Sequence, residues 1–285
     1  MAPAAGLPDA LVSHTAGVLR LTSDTAMQHW IFAAIVFFGY VLVLAPLLPG
    51  LRRTARWHAG LAALGGLALS LLVYVFDDSA VLRQWVLPPA LLLVGYWASG
   101  QLFAAPMPGI ERALCSFDRN LRVDRAIVGT PHWLRTVLEL AYAGVYVLVP
   151  IALLIRFATV AEPNPDGFWT TILVTDFVCF ACLPWIQTRP PRALNTQPPW
   201  RSGLRRLNER VLASTSIQHN TFPSGHAAEA VACVLLVAAA PWPVLIAVAV
   251  AAALVSAGAV LGRYHYAADA VVGWIVAIVV WTTLR

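Results

Sequence analysis

Residues 242–262 read WPVLIAVAVAAALVSAGAVLG, a run with no charged side chain and a single hydroxyl. A stretch of that length is incompatible with a helix that has one wet face, and it matches the roughly 20 apolar residues needed to cross a bilayer as a helix. Seven further apolar stretches can be drawn, near 31–48, 57–76, 84–104, 134–157, 168–187, 225–240 and 266–284. Hydrocarbon leaves the backbone no water to bond, so such spans are expected to be helical. The expected fold is therefore an all-α integral membrane protein of about eight transmembrane helices. Composition agrees: 12% of the residues are charged, against about 25% in soluble domains, and the mean hydropathy is +0.72.

Arg-, Pro- and Gly-rich segments separate the spans. PGLRRTAR follows the first, QTRPPRALNTQPPWRSGLRRLNER follows the fifth, and PWP divides the sixth from the seventh. In 108–125, PGIERALCSFDRNLRVDR, charges alternate with apolar residues at helical spacing, as in an interfacial helix lying along the membrane surface. The first 27 residues show neither a charged n-region nor a cleavable h-region, so no signal peptide is expected.

All 19 basic residues are arginines, so any cationic contact to phosphate must come from a guanidinium. With eight spans, the side holding both termini carries four of them (Arg20, Arg83, Arg156, Arg285) and the other side carries fifteen. The excess of positive charge predicts a multi-pass cell-membrane protein whose arginine-rich face is cytoplasmic. The four cysteines form no disulfide framework; the CFAC pair Cys179 and Cys182 reads as small apolar residues in a buried helix.

Three polar clusters fall on the arginine-rich face. The fifth span ends at Arg189 and Arg192, the sixth begins with Ser224, Gly225 and His226, and the eighth begins with Arg263, His265 and Asp269. Each suits a phosphate. A helix N-terminus at Ser-Gly-His offers unpaired N–H groups and the positive dipole end. Arg189 can grip two phosphate oxygens at once. His265 and Asp269, four apart, share a helical face, where the carboxylate can accept from one imidazole nitrogen and leave the other as nucleophile or base. His226, His265 and Asp269 could also supply three metal ligands, but the neighbouring arginines argue against a cation there. No metal and no cofactor are expected. His14, His29, His58 and His132 read as interfacial anchors, and Arg192, Arg201, Arg205, Arg206 and Arg210 as headgroup-facing charges. Glu139, Asp176 and Glu229 lie inside apolar spans. Acids there are often functional, and a helix-packing hydrogen bond with Tyr142 would equally explain Glu139; Glu229, one turn beyond His226, is expected to support that histidine.

FPSGH (222–226), HYAAD (265–269) and Arg189-Pro190 together resemble the motifs of the type 2 phosphatidic acid phosphatase (PAP2) superfamily of membrane lipid phosphatases and phosphotransferases. The resemblance covers the six spans from about 84 to 284. It implies a six-helix catalytic core over 81–285, preceded by a tail and an extra hairpin over 1–80. Two positions depart from the family pattern: Cys182 stands where its first motif opens with lysine, and Ala259 where its third has arginine, with Arg263 as a substitute in charge. In this form the motifs look most like the inositolphosphorylceramide and sphingomyelin synthase branch.

The resemblance implies that His265, oriented by Asp269, forms a phosphohistidine, that His226 is the acid and base, and that Arg189, Ser224, Gly225 and Arg263 bind phosphate. The implied partners are a lipid phosphate or phospholipid and the bilayer, with no nucleic acid. The alternative expectation is a non-catalytic transporter or scaffold that retains the fold.

Overall fold

The computed structural model describes residues 29–75, 79–195, 197–215, 217, 219 and 221–285; the N-terminal tail read above for a signal peptide, with His14 and Arg20, lies outside them. Among the described residues all regular structure is helical. The long helices are α1 (His29–Leu47), α2 (Arg53–Val75), α3 (Leu87–Gly100, entered through a π-helical turn at Leu82–Val86), α6 (His132–Thr159), α7 (Pro165–Cys182), α10 (Gly225–Leu236), α11 (Trp242–Leu261) and α12 (Ala267–Thr283). Each of the eight expected spans is thus built on a helix. Four, at His29–Leu47, Arg53–Val73, His132–Thr159 and Trp242–Leu261, are long and apolar enough to cross a membrane; Gly225–Leu236 and Ala267–Thr283 are shorter apolar helices. Large apolar side chains also cover the outside, with Leu47 71%, Leu61 62% and Trp242 73% exposed. That outward apolar surface suits lipid and not water. The chain is a multi-pass membrane protein.

Helix ends follow local chemistry. Pro165 opens α7 behind Asn164, whose side chain accepts from the Gly167 N–H at 3.0 Å. A proline there sacrifices no intrahelical bond, because the first N–H groups of a helix are unpaired anyway. Pro241 ends the short turn after α10 and starts α11.

The hub is α10, which packs against α6, α7, α11 and α12. Its Ala227, Ala228, Ala230, Ala232 and Cys233 are fully buried, and such small side chains let neighbouring backbones come close. Two glycines carry the same logic further. A Cβ at Gly273 of α12 would lie 2.5 Å from the Ser224 carbonyl oxygen, and one at Gly258 of α11 would lie 2.6 Å from that of Leu138 on α6. Absence of a side chain at Gly273 seats the start of α12 against the start of α10. The hairpin α1–α2 packs on α7 and α3, where Phe37 stacks on Phe177 with ring centroids 4.3 Å apart.

The interfacial segment is two helices where one was expected. α4 (Pro108–Asn120) and α5 (Val123–Gly129) are separated at Arg122, which adopts a left-handed φ of 56°. α4 turns Glu111 and Leu114 inward and leaves Phe117 and Arg112 exposed. Two short helices, α8 (Pro191–Leu194) and α9 (Gly203–Thr215), lie between α7 and α10 in the chain. All four cysteines are free, with Cys179 and Cys233 buried.

Candidate active site

Ser224 is the N-cap of α10: its backbone is extended and its hydroxyl oxygen accepts from the Ala227 N–H at 3.3 Å. Gly225 and His226 therefore occupy the first helical turn, where N–H groups have no intrahelical acceptor and face outward as anion donors. The His226 ring is held edge-to-face by Tyr142 and Tyr146 of α6, each with its centroid 5.4 Å away.

His265 arrives from the other direction. α11 ends at Leu261, and the chain turns through Arg263, whose φ of 59° is unusual for a residue with a Cβ. The turn is pinned by N–H groups of Tyr264 and His265, both bonded to the Ala259 carbonyl at 2.9 Å. Tyr264 stacks on Tyr142 at 4.1 Å and donates its hydroxyl to Glu139 Oε2 at 2.8 Å. Burial raises the Tyr264 phenol above its ordinary range, and the Glu139 carboxylate adds to that. His265 thereby comes to stand opposite His226, their ring centroids 6.1 Å apart.

His265 Nδ1 lies 3.0 Å from the Thr221 carbonyl oxygen and 3.4 Å from Asp269 Oδ2. A carbonyl can only accept, so Nδ1 carries a proton, and in the neutral ring Nε2 is the nitrogen that keeps its lone pair. Asp269 is fully buried; its Oδ2 accepts from the Tyr266 N–H at 3.0 Å and its Oδ1 has no hydrogen-bond partner. The aspartate thus lies beside the imidazole as a counter-charge, while the shorter bond that fixes the tautomer comes from Thr221.

His226 and His265 line a cavity of about 440 Å³ with Thr221, Gly225, Tyr264 and Arg192. Away from the histidines it continues between α3, α6 and α7, lined by Leu92, Trp97, Val149 and Trp169. Its walls hold a polar end and a long apolar end. Among the described residues no group of three or more His, Cys, Asp or Glu side chains is arranged to hold a metal ion.

This constellation sits within residues 110–283, which match the PAP2 superfamily. The chain belongs to the PAP2 superfamily. No curated protein and no solved structure matches it. The PAP2 match starts inside α4 and ends on α12, so α1 to α3 lie outside it, and with them one of the six spans to which the motif resemblance extends.

Of the residues expected at the PAP2 site, the structure brings His226, His265, Asp269 and Gly225 together. Ser224 is buried as a helix cap and does not line the cavity. Arg189 is gripped by Glu111: its Nε and Nη2 meet the two carboxylate oxygens at 2.9 and 2.8 Å, and its backbone N–H meets Oε1 at 2.9 Å. The guanidinium holds the Glu111 carboxyl below its usual range, and the carboxylate in turn raises Arg189. Arg263 points its guanidinium to Asp124 Oδ1 at 2.9 Å and to the Gln197 carbonyl at 3.0 Å, away from the cavity.

Arg192 is the arginine on the cavity wall. It lies over the Tyr264 ring, 5.4 Å from its centroid, and its backbone N–H bonds the Arg263 carbonyl at 3.0 Å. By sequence it reads as a headgroup-facing charge, and its one distinguishing signal is position, three residues after Arg189. Arg205, also assigned to headgroups, is 2% exposed and bonds Glu139 Oε1 at 3.0 Å. Glu139 collects Trp200, Arg205, Asn208 and Tyr264 as donors. Tyr142, its candidate partner by sequence, stacks on Tyr264 instead.

On the same face, Asp118 of α4 accepts the Ala267 N–H at 2.9 Å and so caps α12. Burial pushes its carboxyl up to about 6, helped by the nearby Asp269 and Asp124.

Proposed function

We propose that this PAP2 protein is a membrane-embedded phosphoesterase that takes a lipid phosphate or phosphodiester and passes its phosphoryl group, through a phosphohistidine, to water or to an alcohol. The observation that carries the reading is the pair His226 and His265, 6.1 Å apart across a cavity whose far end is apolar.

His265 Nε2 attacks phosphorus; the P–N bond forms as the ester P–O bond breaks, and His226 gives its proton to the departing oxygen. Water or an acceptor alcohol then loses its proton to His226 and attacks phosphorus, the P–N bond breaks, and His265 is regenerated. Arg192 and the N–H groups of Gly225 and His226 are suited to the charge that develops on the phosphoryl oxygens, and Asp269 to the positive charge on the His265 ring. These steps call on no metal.

The apolar end suits an acyl chain. Leu93 and Trp97 of α3 and Tyr146 of α6 line the cavity and are exposed, so the cavity is open between α3 and α6, which supports entry of a lipid sideways from the bilayer. The tail and hairpin of residues 1–80 are an addition to a catalytic core over 81–285. The fifteen-to-four arginine asymmetry supports a site on the cytoplasmic side, checked by labelling an engineered cysteine in the 197–213 region before and after permeabilisation.

The deciding experiment is phosphate release from short-chain phosphatidic acid by detergent-purified protein in excess chelator, beside His265→Ala. Release that survives chelation and vanishes in the variant is expected of a histidine phosphatase. Loss of release on chelation would overturn the metal-free scheme. Absence of release from either protein would direct the assay to headgroup transfer, with a phospholipid donor and inositol or ceramide as acceptor; failure there as well would leave a transporter or scaffold.

A further inference from the structure

Two acids on the cavity wall take no part in the steps above. Asp176 of α7 and Glu229 of α10 both line the cavity. Asp176 is 2% exposed, and its Oδ2 is buried with no hydrogen-bond partner. A buried acceptor left unmatched is destabilising, so a polar atom in that position inside an apolar bundle calls for a donor. Glu229 follows His226 by three residues on the same helix and faces the same space.

The position of Asp176 says how far such a donor lies from the phosphate. Its Oδ1 is 3.2 Å from the point where a Cβ on Gly225 would stand, and Gly225 belongs to the helix turn whose N–H groups form the anion cradle. A group that reaches Asp176 is therefore attached close to the phosphate ester, on the lipid side of it, before the apolar walls begin. Its charge is constrained as well. Arg192 lines the same cavity, and its guanidinium opposes an ammonium group. An uncharged hydroxyl has no such conflict, and it can donate to a carboxylate or to the carbonyl oxygen of a neutral carboxyl group.

We infer that Asp176, with Glu229 beside it, is a specificity site for a free hydroxyl on the lipid backbone within two carbons of the phosphate-bearing carbon. The inference rests on the phosphoesterase reading and narrows its substrate class to hydroxyl-bearing lipid phosphates, in preference to fully esterified ones.

Two matched pairs test it in detergent micelles: lysophosphatidic acid against its 2-deoxy counterpart, and short-chain ceramide 1-phosphate against its 3-deoxy counterpart. Wild-type protein is expected to favour the hydroxyl-bearing member of at least one pair by about tenfold or more in kcat/KM, because a site built to bond a hydroxyl rejects the analogue that lacks it. In Asp176→Ala that ratio is expected to fall to within twofold of one, whereas Asp176→Asn, which keeps an acceptor oxygen, retains a preference. Should the alanine variant fail to fold, Asp176→Leu, which keeps the branched shape without an acceptor, carries the same expectation. A purely structural aspartate would lower both members of a pair together and leave the ratio unchanged. Wild-type ratios near one in both pairs, or an unchanged ratio in Asp176→Ala and Asp176→Leu, would overturn the inference while leaving the phosphoesterase intact. Failure of every lipid phosphate to react would remove the phosphoesterase reading and this inference together.

Discussion

Arg189 and Glu111 form a three-point clasp, with two guanidinium nitrogens and one backbone N–H on a single carboxylate. The clasp ties the interfacial helix α4 to the segment that follows α7. The carboxylate is only 5% exposed and the arginine 41%, so the two partners are not equivalent. Removing Arg189 strands a buried charge; removing the Glu111 charge leaves an arginine that water can reach. Arg189→Ala is therefore expected to lower the melting temperature more than Glu111→Gln.

The same pair sets an acid limb. The folded Glu111 carboxyl titrates below its unfolded value because Arg189 favours its charged form. Its contribution to stability is present above the ordinary carboxylate range, near pH 4.3, and is lost as pH falls through the depressed folded value. Melting curves of wild type and Glu111→Gln should converge on acidification and separate at neutral pH. A constant gap from pH 7 down to 3 would contradict this.

Thr221 bonds His265 Nδ1 more closely than Asp269 does, at 3.0 against 3.4 Å. Where an aspartate alone fixes a catalytic tautomer, its change to asparagine costs about 10⁴-fold in kcat. Here a backbone carbonyl keeps the tautomer in the Asp269→Asn variant, and the loss is confined to the counter-charge. Turnover is expected to drop by about 10²- to 10³-fold, a single electrostatic contribution. A drop near 10⁴-fold in single-turnover assays would show that Thr221 does not hold the ring.

Arg192 and Arg263 should separate cleanly. Arg192→Gln is expected to reduce kcat/KM by about 10²-fold, the scale of losing one charge-stabilising group, with little change in melting temperature. Arg263→Gln removes the contacts to Asp124 and Gln197 and is expected to act on stability first. Equal kinetic losses for the two would place both at the phosphate.

Gly273→Ala would put a Cβ 2.5 Å from the Ser224 carbonyl oxygen, which belongs to backbone and cannot swing aside. The start of α12 must then move off α10. A loss of roughly 1–3 kcal/mol is expected, as for other overpacked sites, with turnover falling as His265 and Asp269 shift away from His226. Gly39→Ala on α1 is the matched control, since nothing stands within 4 Å of its added Cβ. Thermal melts of the two variants decide it.

Much of the molecule was legible in the order of its residues. Long uncharged runs force helices, because hydrocarbon offers the backbone no other partner, and PSGH and HYAAD announce themselves through rare polar residues at helix starts. Local spacing also put His265 and Asp269 on one helical face. What spacing cannot convey is which long-range partner reaches a side chain first. Arg189 had the expected position for phosphate, but Glu111, 78 residues earlier, occupies its fork. Arg192 looked like one more headgroup arginine until the fold laid it over Tyr264. The Thr221 carbonyl is a main-chain atom and leaves no mark in the alphabet of side chains. Residue order alone specifies a helical membrane protein with two histidines and an aspartate at its polar edge. Packing between helices far apart in the chain settles which arginine lines the cavity, which atom orients His265, and that Asp176 Oδ2 is buried without a hydrogen-bond partner, because no local spacing encodes those contacts.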